Sequence, residues 1–135
     1  MKTCIAVDLG AKRTGLAWCG PKGMIDLLPT VLTPDLGAAL RTWKDELEAE
    51  LLVFGLPLRR GKIGSAARRV RRVAYDLATD VDLPLVFVDE AETTDEATGL
   101  FPGRDKDAIA AGLILKRFLA DGPLEALKGQ GDSSR

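Results

Sequence analysis

Three carboxylates stand where apolar segments begin or end. Asp8 closes the buried-looking run that starts at Thr3, Glu90 closes "LPLVFVDE", and Asp107 shares a helical stripe with Ala111, Ile114 and Phe118. Taken singly, each has an ordinary explanation. Asp8 suits a turn before Gly10, Glu90 a solvated strand end, and Asp107 a charge at a helix N-terminus. Asp105 serves that last purpose as well, from a better capping position. Asp89 points to the face opposite Glu90 by strand alternation, so at most one of the two serves a given site. Together the three acids say more. Two strands running parallel, with a helix packed on them, bring Asp8, Glu90 and Asp107 to one end of a sheet, where open α/β sheets gather ligands. Converging anions stay ionised only around a cation. An all-oxygen ligand set selects a hard divalent ion, Mg²⁺ or Mn²⁺. Such ions activate water and stabilise the charge that develops as a phosphodiester is hydrolysed.

The chain has no histidine, which removes Ser-His-Asp hydrolysis, Cys-His proteolysis and imidazole-ligated zinc. Its two cysteines form no C-x-x-C pair, and Cys4 reads as a small buried hydrophobe rather than part of a disulfide framework. No apolar stretch reaches the roughly 18 residues of a membrane span, and the N-terminus lacks the pattern of a signal peptide, so a cytoplasmic protein without membrane contact is expected.

The net charge is −1, but it is segregated. No acid falls between Leu51 and Tyr75, a stretch that carries Arg59, Arg60, Lys62, Arg68, Arg69, Arg71 and Arg72. The last four are expected on the outer face of a helix whose buried stripe is Ala66, Val70, Val73, Ala74 and Leu77. A solvated face usually interleaves charges of both signs, so this one is a candidate phosphate-binding surface. Lys12 and Arg13, in the Gly-punctuated turn after Asp8, are a second candidate beside the acids. Aromatic residues are 5% of the chain, too few for base-stacking platforms. Recognition by backbone and shape is expected.

These residues need a scaffold. Thr3–Leu9 reads as a central strand, Leu16–Cys19 as its hairpin partner, and Met24–Leu32 as a third strand that Pro29 places at an edge. Leu36–Ala49 reads as a helix, Leu51–Leu56 as a strand, and Ser65–Thr79 as a helix with Ser65 as N-cap. Leu85–Val88 reads as a strand, followed by a short helix around Thr93–Thr98 and a longer one over Lys106–Ala120. A meander feeding β-α-β units predicts an α/β fold, a mixed sheet with helices on both faces. One domain over residues 1–127 and a flexible tail over 128–135 are expected.

The segments "VDLGAKRTGLA", "LLVFGLPL", "VFVDEAETT" and "DAIAAGLIL" resemble, in order and over nearly the whole chain, the signature blocks of the YqgF-type (RuvX) nucleases of the ribonuclease H-like fold. The resemblance implies a five-stranded mixed sheet and a metal-dependent nuclease with Asp8, Glu90 and Asp107 as catalytic and metal-binding acids. It further implies action on RNA, in maturation of the 5′ end of pre-16S ribosomal RNA. Holliday-junction resolution, which requires a homodimer to cut two strands, is the alternative. A catalytically silent nucleic-acid-binding module would have lost one of the acids. An ATPase of the sugar-kinase and actin type would need two such domains. Two places depart from the family pattern. Ala91 stands where an arginine usually follows the glutamate, and "RRGKIGS" replaces an Asn-Met-Asp-Gly-like run after "GLPL". Arg59 and Arg60 are candidates to replace that arginine.

Overall fold

The computed structural model describes residues 2–90, 99 and 101–124. Strand β1 (Cys4–Asp8) is buried on both faces because its two alternating sets are both apolar. Ile5 and Val7 enter one core, and Cys4 and Ala6 the other. Strands β2 (Arg13–Cys19) and β3 (Ile25–Leu32) complete an antiparallel meander. A 3₁₀ turn over Thr33–Asp35 leads into helix α1 (Leu36–Leu47), and β4 (Leu51–Leu56) returns parallel to β1. Helix α2 (Ser65–Val81), β5 (Leu85–Asp89) and helix α3 (Lys106–Asp121) follow, with β5 parallel to β4. The strand order is β3-β2-β1-β4-β5.

Side chains from α1 and α2 pack with Ile5, Leu52 and Phe54 on one face of the sheet, and side chains from α3 pack with Ala6, Val53 and Val88 on the other. The expected mixed sheet with helices on both faces is therefore observed, with Pro29 on the edge strand. Beyond α3, the Leu124 N–H bonds to the Phe87 carbonyl at 2.9 Å, laying the chain against β5. Among the described residues no helix is long and apolar enough to cross a membrane. Both cysteines are free and buried, and they face each other in the β1–β2 register.

Several details differ from the expectations. Strand β2 begins at Arg13 rather than Leu16, confining the turn to 9–12. Thr14 joins the strand because its buried hydroxyl is paired with that of Thr33 at 2.8 Å, which removes the cost of burying it. Ser65 is the first helical residue, not the cap; Gly64 holds the N-cap position with no side-chain bond. The buried stripe of α2 is Ala67, Val70, Ala74, Ala78 and Val81, while Ala66 is exposed. Val73 and Leu77 lie on its half-buried flank, where Leu77 approaches Gly37 of α1. The helix expected around Thr93–Thr98, Ala91 and the tail at 128–135 lie outside the described residues.

Candidate metal centre and nucleic-acid face

Parallel pairing of β1, β4 and β5 sets their C-terminal ends side by side, so Asp8 and Glu90 emerge at the same end of the sheet. The Glu90 N–H still bonds to the Leu56 carbonyl at 2.9 Å, carrying the ladder one residue past β5. Alternation then decides the face. Ala6 and Val88 lie in the core under α3, so Asp8 and Glu90, two residues further along each strand, turn toward α3 as well. Gly55 lies between them on that face. A Cβ there would sit 2.5 Å from Ile114 Cδ1 and 3.4 Å from Glu90 Cβ. The missing side chain therefore lets Ile114 of α3 close in beneath the acids.

Burial is the main reason that the Glu90 carboxyl is pushed up to about 8; the neighbouring Asp8 carboxyl and the charge of Asp89 add to it. Glu90 thus keeps its proton at neutral pH. Asp89 itself pairs with Arg117 at 3.5 Å.

Asp107 reaches the same corner through β2. Gly15 stands opposite Asp8 in the β1–β2 register, and the first turn of α3 presses on it so closely that a Cβ at Gly15 would overlap the Asp107 carbonyl. The bulge between Thr14 and Leu16 falls at this contact. Asp105 is the N-cap of α3, its Oδ1 accepting the Asp107 N–H at 3.4 Å. The Asp107 carboxylate is held by Arg13, whose Nε lies 3.1 Å from Oδ2. The structure therefore sets two of the three expected acids at one end and on one face of the sheet and ties the third to a cation. Among the described residues no group of three acidic or thiol side chains is arranged to hold a metal ion. The Asp8–Glu90 pair nevertheless suits a hard cation in its chemistry, being all-oxygen and half-buried. A cation that drew on Asp107 would compete with Arg13 for the charge of that carboxylate.

Stability should report the Glu90 proton. In the unfolded chain Glu90 ionises near 4.5, whereas in the folded protein it keeps its proton to about 8. Between those values the unfolded state binds fewer protons, so this contribution, present in full below pH 4.5, is lost as pH rises through 8. With no histidine to titrate in that window, the trend should be legible. In chelator, urea midpoints should fall from pH 5 to pH 8, and Glu90→Gln should flatten the slope. A wild-type profile already flat would contradict the burial of this acid.

The basic residues fall into three groups. Lys12 is exposed at the turn after Asp8, next to Arg13. Arg59 and Lys62 exchange both backbone bonds at 2.9 Å, and Arg60 and Gly61 between them have φ of 52° and 75°. This is a two-residue hairpin with both central residues at positive φ. Leu58 and Ile63 anchor its feet in the core, and it leaves β4 at the acid end of the sheet. On α2, Arg68, Arg69 and Arg72 are exposed, whereas Arg71 is half-buried and already partnered. Its place on the outer face is corrected accordingly; Arg71 lies about 60° round the helix from the arc of Arg68 and Arg72 and nearer the buried stripe.

A family model described as "RuvX: Holliday junction resolvase" matches residues 2–121. The chain belongs to the RuvX family. A Synechococcus sp. protein named "Putative pre-16S rRNA nuclease" is 37% identical over 129 residues, covering 85% of this chain and 87% of its own length. A Gloeobacter violaceus relative of the same name is 35% identical over 127 residues, covering 85% of this chain and 81% of its own. Among solved structures, RuvC from Thermus thermophilus superposes with a TM-score of 0.59 at 13% identity, over 90% of this chain and 99% of that one. At that identity the likeness shows the fold, which is ribonuclease H-like. RuvX membership thus bears out the family and fold that the sequence blocks resemble.

Arg13 as the partner of Asp105 and Asp107 is a residue whose structural role the sequence hid. It directly follows a turn and is 92 positions from Asp105. Only the excess of cations over acids in the turn after Asp8 hinted that it had a partner.

Proposed function

We propose that this RuvX protein is a divalent-metal-dependent nuclease that hydrolyses phosphodiester bonds in structured RNA, with the 5′ end of pre-16S ribosomal RNA as its processing site. The observation that carries this reading is the pair Asp8 and Glu90 at the ends of parallel strands, with the backbone of Asp107 packed against Gly15, the β2 partner of Asp8. Two half-buried acids side by side have little structural value, since an apolar pair would fill the place at lower cost. Their chemistry suits a cation-dependent site. The names of the Synechococcus and Gloeobacter relatives support pre-16S RNA as the substrate.

In this reading Asp8, Glu90 and Asp107 would hold Mg²⁺ or Mn²⁺, which would supply activation of water and neutralisation of charge at the scissile phosphate. Glu90 would release its proton to water, and Asp107 would yield its hold on Arg13 to the ion. Ile114 keeps bulk water from beneath the pair. Lys12, the Arg59–Lys62 hairpin, and Arg68, Arg69 and Arg72 of α2 hold the phosphate backbone on either side. Arg60 adopts a left-handed φ that costs an arginine of the order of 1 kcal/mol, and a constraint of this kind is more readily kept where the tip has work to do.

Replacing Arg68, Arg69 and Arg72 together by glutamine should weaken RNA binding and lower the slope of log affinity against log salt by roughly 2 to 3, because fewer counterions are released. Arg71 is left in place because it is partnered. An unchanged slope would return α2 to a solvated face.

The family description favours a second reading, cleavage of four-way DNA junctions. Purified protein incubated with a pre-16S 5′ leader RNA and with a four-way DNA junction, each in Mg²⁺, Mn²⁺ and EDTA, separates the two. Metal-dependent cleavage of the RNA alone is the expected result. Cleavage of the junction alone would transfer the substrate to DNA, and cleavage of neither would leave a binding module.

A further inference from the structure

Arg13 opens β2, and its guanidinium lies between the two aspartates that open α3. Nη2 is 3.2 Å from Asp105 Oδ2 and Nε is 3.1 Å from Asp107 Oδ2. Its side chain is 56% exposed, so the pairing is solvated and easily exchanged. Its root is not mobile in the same way. Thr14, the next residue, is buried, and Gly15 after it is wedged between Asp8 of β1 and the first turn of α3. An exchangeable cation on a fixed base therefore stands at the corner where the acids meet.

We infer that Arg13 is a positioning residue that exchanges between two anions. It holds Asp107 until a divalent cation takes that carboxylate, and it then turns to a phosphate of the substrate. The inference rests on the proposed metal centre of Asp8, Glu90 and Asp107. A guanidinium and a divalent cation that draw on one carboxylate also repel each other, so each weakens the other's hold on it. A released guanidinium stays beside the site because its backbone is held in the sheet. Its planar fork matches two oxygens of a phosphate. Metal and nucleic acid then help each other to bind, since each removes a competitor of the other. Such coupling is reciprocal and measurable at equilibrium. A simple phosphate contact would behave differently, because its loss would not change metal affinity when no nucleic acid is present.

The test is calorimetric titration of Mn²⁺ into the wild type, Arg13→Gln and Arg13→Lys, each alone and with an RNA hairpin carrying phosphorothioate linkages. Alone, Arg13→Gln should bind Mn²⁺ about threefold to tenfold more tightly than the wild type, having lost the competing cation. The RNA hairpin should tighten Mn²⁺ binding by about fivefold or more in the wild type and have little effect in Arg13→Gln. Arg13→Lys keeps the charge without the fork and should fall between the two. It also serves as the working variant if the glutamine protein is poorly folded. Unchanged or weaker Mn²⁺ binding by Arg13→Gln, or equal tightening by RNA in both proteins, would overturn the exchange and leave the metal centre standing. Failure of the wild type to bind Mn²⁺ would bring down the metal centre, and this role of Arg13 with it.

Discussion

Asp8→Asn should abolish cleavage, lowering the rate by at least about 10³-fold, while the protein stays folded and binds RNA nearly as well. The substitution preserves shape and removes the charge that a divalent cation needs. It also removes a carboxylate that makes Glu90 harder to ionise. Stability in chelator should therefore hold or rise, because two neighbouring acids no longer repel each other. The discriminating comparison is turnover against urea midpoint. A catalytic acid loses the first and keeps the second, whereas a structural acid loses both. Metal-dependent activity within tenfold of the wild type would remove Asp8 from the centre.

Gly15→Ala should produce the largest change in stability. The added Cβ would overlap the backbone carbonyl of Asp107, and backbone cannot rotate out of the way as a long side chain can. Either α3 lifts from β2 or the bulge at Gly15 is rebuilt. Overpacking of this kind costs about 1–3 kcal/mol and sometimes more; the upper end is expected here. Because α3 carries Asp107, Mn²⁺ affinity should fall together with stability. Gly61→Ala is the control. Gly61 has a φ of 75° but nothing within 4 Å of an added Cβ, so its cost should stay near 1 kcal/mol, and Mn²⁺ affinity should be unaffected. A Gly15→Ala protein less than about 1 kcal/mol below the wild type in urea would show that the β2–α3 contact yields easily.

What the sequence made legible, and what it hid, follows from the range of the interactions. Asp8 and Glu90 stood out because each ends a continuous apolar run, and Asp107 because helical spacing put it on an apolar stripe; the face that Asp8 and Glu90 share came only from packing against α3. The mixed sheet followed from a meander and two crossovers, since few topologies satisfy both. The stripe of α2 was misplaced by one position because Ala66 and Ala67 are identical neighbours, and only packing against the sheet distinguishes them. The hairpin at Arg59–Lys62 escaped notice because its first turn residue is an arginine with a φ of 52°, where asparagine or glycine is the usual signal. Arg13 could be placed beside the acids, but its partners lie at the other end of the chain, and no local pattern records a contact of that separation. The register of Cys4 with Cys19 was hidden for a similar reason, because it depends on the length of a turn that the sequence made to look longer than it is.

The claim at the centre of this account is that acids from β1, from the end of β5 and from α3 close around one divalent cation. Titration of Mn²⁺ into the wild type and Asp107→Asn, followed by calorimetry, tests it most directly. The wild type should bind saturably and Asp107→Asn at least about tenfold more weakly, as expected when one ligand of a metal site is neutralised. Equal affinity in the two proteins, or no binding by the wild type, would contradict it.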